Sequence, residues 1–288
     1  MDVALVSCMN LPEPDPDAAP LAAALDAAGI RSRVLAWDDP AVEWSRAPMT
    51  VFRSSWNYPL RREAFMAWAE TTARLTDLWN SLPVVQWNSH KSYLLELERR
   101  GIRIASTVLV VRGSTRSLGD ILDERGWDEV VIKPAVSCAS FRTRHFRRNQ
   151  QDEGESHLRD LARDGDVLVQ QYLPSVNSYG ERSLVWIDGE ITHSIRKSPR
   201  FEGQEESVTT YAVESTAEEQ ALADRAITAA SQLIGQPLLY ARADMARSSD
   251  GVPVIMELEL IEPSLFFSQG PDALGRYVAA IQRRLGAR

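Results

Sequence analysis

Short apolar runs separated by polar, Gly- and Pro-rich breaks set the rhythm of this chain. Asp2–Cys8, Arg31–Trp37 and Met49–Ser54 read as strands, and Leu21–Ala28 as a helix that stops at Gly29. Pro12, Pro14, Pro16 and Pro20 stiffen the connection ahead of that helix. Strand, helix and strand in alternation predict an open, largely parallel sheet, and so an α/β fold class. Arg61–Leu75 follows as an amphipathic helix and Val84–Trp87 as a fourth strand. Ser89–Arg100 then reads as a helix capped by Ser89 and ended by Gly101. Val108–Val111 is the next strand pattern.

From about Ser114 the pattern becomes a compact α+β unit, with a helix near Ser117–Arg125, a strand at Glu129–Lys133 and another at Asp166–Tyr172. Two hairpins follow. One turns on Asp188-Gly189, between Ser183–Asp188 and Glu190–Ile195; the other lies in Leu238–Phe267 and turns on Asp250-Gly251. Asp-Gly between apolar runs is a strong hairpin signal. Thr216–Ile234 and Pro271–Leu285 read as helices, and Phe201–Val213 as a mobile loop. The changes of pattern divide the chain into an α/β unit at 1–87, a central and lid unit at 88–172, and a C-terminal unit at 173–288.

Composition narrows the functional classes. A net charge of −8 and a pI near 5.2 argue against a general nucleic-acid binder. The chain has no apolar run of about 18 residues, which predicts no membrane span. The acidic, Pro-rich start does not resemble a signal peptide. Only Cys8 and Cys138 are present, without a partner motif, which fits a reduced, cytoplasmic protein. The four histidines show no zinc spacing, and G-x-S-x-G is absent.

The second hairpin carries the chemistry. A turn at Asp250-Gly251 places Asp244 opposite Glu257 and Arg242 opposite Glu259, all on one face. Like charges in opposed positions destabilise a sheet, so three carboxylates there call for a counter-charge. Arg242 supplies part of it and a divalent cation with oxygen ligands would complete it. The same residues also fit a solvated hairpin face with an Arg–Glu pair. Arg53-Ser54-Ser55-Trp56-Asn57-Tyr58, at the carboxyl end of a parallel strand, offers a hold for a small polar substrate, or simply caps the core. Arg196 and Lys197 project from the end of the first hairpin. The loop Pro134–Arg144 has the small and hydroxylated residues of a flap over phosphates.

From about Trp87 to Phe267 the sequence resembles the ATP-grasp superfamily of ligases. Lys91, in Asn88-Ser89-His90-Lys91, matches the first nucleotide lysine, and Lys133, in Val131-Ile132-Lys133-Pro134, the second. Gln170, Gln171, Tyr172 and Leu173 match the hinge that reads adenine, and Glu181 the acid that holds the ribose. Asp244, Glu257 and Glu259 match the metal ligands, although the third is usually Asn. Arg242 matches an arginine that steadies the phosphorylated intermediate. The loop after Lys133, normally Gly-rich, has Ser137, Cys138, Ala139 and Ser140 instead. The segments RSSWNY, YGERSLVWIDGEITHSIRK and MELELIEPSLFF resemble a glutathione-synthetase-like branch that includes the D-cycloserine synthetase family, the O-ureido-D-serine cyclo-ligases.

The resemblance implies an ATP-grasp fold, in which two α+β subdomains grip ATP beside the N-terminal sheet, and ADP-forming C–N bond formation with ATP and two Mg²⁺ ions, or Mn²⁺ in their place. It implies phosphorylation of a carbonyl or carboxylate oxygen of a small amino-acid-like substrate, then displacement of phosphate by the substrate's own α-amine. Arg242, Arg196 and Lys197 are the expected catalytic cations, and Arg53, Asn57, Glu262 and Ser264 the expected grip on the substrate. No nucleic acid or membrane is expected as a partner, and a homodimer is compatible with the sequence. An intermolecular carboxylate–amine ligase and a non-catalytic nucleotide binder are the alternatives.

Overall fold

The computed structural model describes residues 1–205 and 207–287. It contains three four-stranded sheets. The first is parallel, in the order β2-β1-β3-β4: β1 Val3–Ser7, β2 Ser32–Ala36, β3 Met49–Phe52 and β4 Asp77–Trp79. The second is antiparallel, in the order β5-β8-β6-β7: β5 Thr107–Val110, β6 Glu129–Pro134, β7 Arg144–Arg147 and β8 Val167–Gln171. The third is also antiparallel, β10-β9-β11-β12: β9 Glu181–Ile187, β10 Glu190–Lys197, β11 Tyr240–Arg247 and β12 Pro253–Glu259.

Helices cover these sheets. Helix α1 is Ala18–Ala27 and α2 is Arg62–Thr72. Helices α3 (Leu82–Asn88) and α4 (Tyr93–Arg99) lead to the second sheet, whose connections carry α5 (Leu118–Arg125) and α6 (Gln151–Asp164). The short α7 (Ser175–Ser178) leads into the third sheet. Helix α8 (Ala217–Ile234) packs Leu222, Ala223, Ala226 and Ile227 on that sheet's back, against Leu184, Ala243 and Leu258. It starts with a reciprocal cap between Thr216 and Glu219 and ends at Gly235 in the left-handed region. Helix α9 (Pro271–Gly286) puts Tyr277 and Ile281 into a core that also holds Val3, Leu5, Val51, Val185 and Ile195. One core therefore joins the parallel sheet to the C-terminal sheet.

Two buried asparagines make that junction directional. Asn80 donates to the carbonyls of Tyr240 (2.9 Å) and Leu260 (2.7 Å) and accepts from the Leu239 N–H (2.7 Å). Asn88 donates to the Leu258 carbonyl (2.8 Å) and accepts from the Leu260 N–H (2.8 Å). Both therefore fix the strand edge that carries the acidic residues.

Four expectations are corrected. Val84–Trp87 is not a strand but lies inside α3, where Pro83 occupies the first helical turn. Ser89 does not cap a following helix; it ends α3, and α4 starts only at Tyr93. Arg196 and Lys197 do not emerge beyond a strand but are the last two residues of β10. The segment Phe201–Val213 is tethered in part: the Thr209 N–H donates to the Arg196 carbonyl (3.0 Å) and the Val213 N–H to that of Ser194 (2.8 Å). Glu206 lies outside the described residues. Helix α6 and strands β4 and β7 were not anticipated, although α6 buries Gly154, His157, Leu158, Leu161 and Ala162 at helical spacing.

Candidate active site

The site grows from one face of the third sheet. The ladder pairs Arg242 with Glu259 and Asp244 with Glu257, the register expected from the sequence. Nearer the turn, Arg247 pairs with Pro253, and a bulge at Met256 restores the register at the acidic pairs. Glu181 on β9 faces Lys197 on β10, and Ser183 faces Asp244. Lys197 Nζ reaches across β9 to the Asp244 carboxylate at 2.7 Å and also contacts Glu181. Arg242 clasps Asp244 from Nε (2.9 Å) and Nη2 (2.8 Å), contacts Glu259, and donates from Nη1 to the Ser264 carbonyl (3.2 Å).

Two more cations come from other elements. Lys91, in the turn before α4, contacts Glu257 and donates to the Ser137 carbonyl at 2.9 Å. Its own N–H donates to the Ala135 carbonyl at 2.7 Å, so this turn holds the start of the loop after β6. Lys133, near the end of β6, stands 4.0 Å from the other Glu257 oxygen. Lys91, Lys133, Lys197 and Arg242 thus balance Asp244, Glu257, Glu259 and Glu181 within one cavity.

Burial and charge pull these groups in opposite directions. Burial pushes the Asp244 carboxyl up, but Arg242 and then Lys197 outweigh it and hold it well below the usual carboxylate range. Glu257 is likewise lowered, because Lys91 and Lys133 overcome burial. Burial prevails at Glu259, which is pushed up to about 7, and at Glu262, pushed up to about 8 with Glu259 adding to it. Burial also lowers Lys133, and Glu257 only partly restores it.

More of the cavity wall comes from the second sheet and the segment that follows β8. Gln170, Gln171, Tyr172 and Leu173 line it together with Val131 and Met256. Gln170 is fixed by a 3.0 Å hydrogen bond from Nε2 to Thr107 Oγ1, and the Tyr172 ring lies 4.1 Å from that of His145. The loop after β6 takes the left-handed conformation at Ala139 (φ 48°), Ser140 (φ 56°) and Arg142 (φ 51°), positions that glycine fills without strain. It keeps the path suited to a Gly-rich loop with other residues.

Known proteins resemble this chain in sequence and in fold. Residues 3–80 match the family described as the N-terminal domain of D-cycloserine synthetase DcsG. The cycloserine biosynthesis protein DcsG of Streptomyces lavendulae is 33% identical over 282 residues, spanning 94% of this chain and 94% of that one. The chain belongs to the D-cycloserine synthetase family of ATP-grasp ligases. The crystal structure of D-cycloserine synthetase DcsG superposes with a TM-score of 0.91 at 32% identity, covering 99% of this chain and 100% of that one. The ATP-grasp ligase PsnB, in a complex with a precursor variant, Mg and ADP, shares the fold at a TM-score of 0.68 and 16% identity, covering 98% of each chain. As a member of this family the chain is an ATP-dependent ligase that forms C–N bonds and uses ATP with Mg²⁺.

Among the described residues, no three His, Cys, Asp or Glu side chains form a ready metal cage. Mg²⁺ commonly binds through one or two carboxylates and completes its shell with phosphate oxygens and water. Asp244 and Glu257 are opposed oxygen donors now neutralised by Lys197, Arg242 and Lys91, so the donor set fits such an ion. No described helix is long and apolar enough to cross a membrane.

Not every expected site residue reaches the cavity. Arg196 is turned to the opposite face of β10 from Lys197 and donates to the carbonyls of Tyr179 (2.9 Å) and Ser178 (3.0 Å), holding the end of α7. Arg53 is buried against Asp17 (3.2 Å) and the Pro263 carbonyl (3.3 Å). Asn57 accepts from Trp37 Nε1 (2.6 Å) and donates to Asp38 (2.8 Å). Glu262 and Ser264 do line the cavity. Sequence reading missed Glu13 and Arg200 as wall residues, whereas Trp56 and Cys138, also in the wall, belong to the two segments read as a substrate hold and a phosphate flap. Arg200 reaches Glu13 at 2.8 Å, closing the rim from the N-terminal side. No local motif marks that pair, which is separated by most of the chain.

Proposed function

We propose that this ligase phosphorylates the carboxylate of O-ureido-D-serine and closes the molecule into D-cycloserine, as a step in making that antibiotic. The observation that carries the reading is the convergence of Lys91, Lys133, Lys197 and Arg242 on one carboxylate-lined cavity, in a chain 33% identical to a cycloserine biosynthesis protein. Adenine would lie along Gln170–Leu173, with the ribose toward Glu181 and the phosphates toward Lys91 and Lys133. Asp244, Glu257 and Glu259 would hold Mg²⁺, taken here as two ions with Mn²⁺ as a substitute. Bound there, the metal would neutralise charge on the phosphate oxygens.

The protein's own work is positioning and charge balance, as phosphoryl transfer requires. Lys133, whose proton is loosened by burial, gains a partner when phosphate arrives, and Lys91 can pass from Glu257 to the nucleotide. A substrate carboxylate oxygen attacks the γ-phosphorus, the bond to the ADP oxygen breaks, and an acyl phosphate results. Arg242 faces the oxygen that gathers charge. The ring sets which nitrogen attacks next, and this corrects the α-amine expectation. In an isoxazolidinone the ring nitrogen is bonded to the side-chain oxygen, so the ureido nitrogen on that oxygen attacks the carboxyl carbon and the α-amine stays free. Phosphate leaves, and water removes the carbamoyl group as CO₂ and ammonia. Both cysteines are free thiols, which supports a cytoplasmic location.

ADP release and product mass with Mg-ATP test the reading. ADP and a cyclised product with O-ureido-D-serine alone are expected. ADP formed only when an acid and a separate amine are both supplied would replace it with an intermolecular ligase.

A further inference from the structure

We infer that Trp56 is a specificity-determining partition, which walls the reaction cavity off from a neighbouring apolar cavity and keeps water and foreign amines from the activated carboxyl. This rests on the cyclo-ligase reading above. The second cavity, of about 290 Å³, lies between the N-terminal unit and the loop after β6. Pro12, Pro59, Leu60 and Phe141 are among its walls, and Leu60 (65% exposed) and Phe141 (43%) bring it to solvent. With about 30 Å³ per water in the liquid, it has room for several waters or a small amine.

Trp56, Cys138, Ala139 and Ser140 line both cavities, so they form the wall between them. Trp56 is its bulkiest member, is only 8% exposed, and is tied on two sides. Its Nε1 donates to the Glu262 carbonyl at 2.8 Å, on the segment that leaves the acidic strand. Its carbonyl accepts from Cys138 Sγ at 2.7 Å, on the loop after β6. The indole therefore stands at the end of the cavity where Glu262 and Ser264 are, away from the adenine hinge.

An intermolecular ligase needs a port for its amine. A cyclising one carries the nucleophile in the substrate, and any other nucleophile is a loss. If water attacks the acyl carbon, the bond to the phosphate oxygen breaks, phosphate leaves and the starting carboxylate is regenerated, so ATP is spent without product. If hydroxylamine attacks, the same bond breaks and a hydroxamate forms. Excluding such side reactions is a recognised use of a closed site.

The test measures ADP released per ring formed, and hydroxamate formed with added hydroxylamine, for the unaltered enzyme, Trp56→Ala and Trp56→Phe. The unaltered enzyme is expected to give one ADP per ring and no hydroxamate. Trp56→Ala should raise the ratio severalfold and yield hydroxamate, while Trp56→Phe, which keeps most of the bulk and loses the N–H, should stay close to the unaltered ratio. A folded Trp56→Ala that remains fully coupled overturns the inference, as does a Trp56→Phe that leaks equally. If Trp56→Ala does not fold, Cys138→Ala decides: uncoupling supports the partition, and tight coupling overturns it. An unaltered enzyme that forms no ring from O-ureido-D-serine refutes the cyclo-ligase reading itself, a separate result.

Discussion

Asp17 lies just ahead of α1, yet it holds the segment that follows the acidic strand. Its buried carboxylate accepts the N–H groups of Leu265 (2.6 Å), Phe266 (3.1 Å) and Phe267 (2.9 Å), and Arg53 donates to it at 3.2 Å. The next link is the Ser264 carbonyl, which accepts from Arg242. Asp17→Ala would leave the buried Arg53 charge with the Pro263 carbonyl at 3.3 Å and the Asp15 carboxylate at 3.8 Å, and orphan three backbone donors. Breaking a buried charge pair costs about 3–5 kcal/mol, and each orphaned donor about 1–3 before the segment relaxes, so a loss of about 4 kcal/mol or more is expected. At about 2–4 °C per kcal/mol for a chain near this size, Tm should fall by roughly 8–16 °C. At a temperature where the variant stays folded, kcat should also drop, because a displacement of about 1 Å at a reacting group can cost about 100-fold. Thermal unfolding and steady-state turnover read both effects. A Tm within about 2 °C of the parent, or an unchanged kcat, would refute the reasoning.

Arg196→Ala should lower stability by about 1–2 kcal/mol through loss of its bonds to the carbonyls at the end of α7, while Arg242→Gln should lower kcat far more than it lowers Tm. Chemical denaturation beside turnover checks the contrast, and equal losses of kcat would contradict it. Ala139→Gly should stabilise by about 1 kcal/mol or less, since glycine takes the left-handed backbone there without strain; a lower urea midpoint would speak against it. Burial holds His157 and His193 below their ordinary value of 6.5. Below pH 6.5 the unfolded chain therefore binds protons that the folded chain refuses, so stability is full above 6.5 and declines as pH falls through the folded values. Replacing His157 with Gln should flatten that decline in urea midpoints, and an unchanged slope would count against it.

How much of the site the sequence disclosed depended on how local each constraint was. The Asp-Gly turn and the two-residue strand period were enough to place Arg242 opposite Glu259 and Asp244 opposite Glu257. The route differs, since the bulge at Met256 returns the residue taken up by the longer turn. The same period separates Arg196 from Lys197, a signal that was available and not used. Arg53 and Asn57 were misplaced because their partners, Asp17, Trp37 and Asp38, lie in other elements and leave no local pattern. Val84–Trp87 is apolar enough for a buried strand or a helix, and only packing against the third sheet decides. The wall at Trp56 was hidden for a similar reason, because it exists only where three parts of the chain meet.

Isotope transfer from the substrate carboxylate tests the central claim most directly. O-ureido-D-serine labelled with ¹⁸O in both carboxyl oxygens would be turned over with Mg-ATP, and the phosphate and ring product analysed by mass. One labelled oxygen in the phosphate and one in the ring carbonyl is the predicted result, because the acyl phosphate takes its bridging oxygen from that carboxylate. Unlabelled phosphate beside a product that keeps both labels would contradict it.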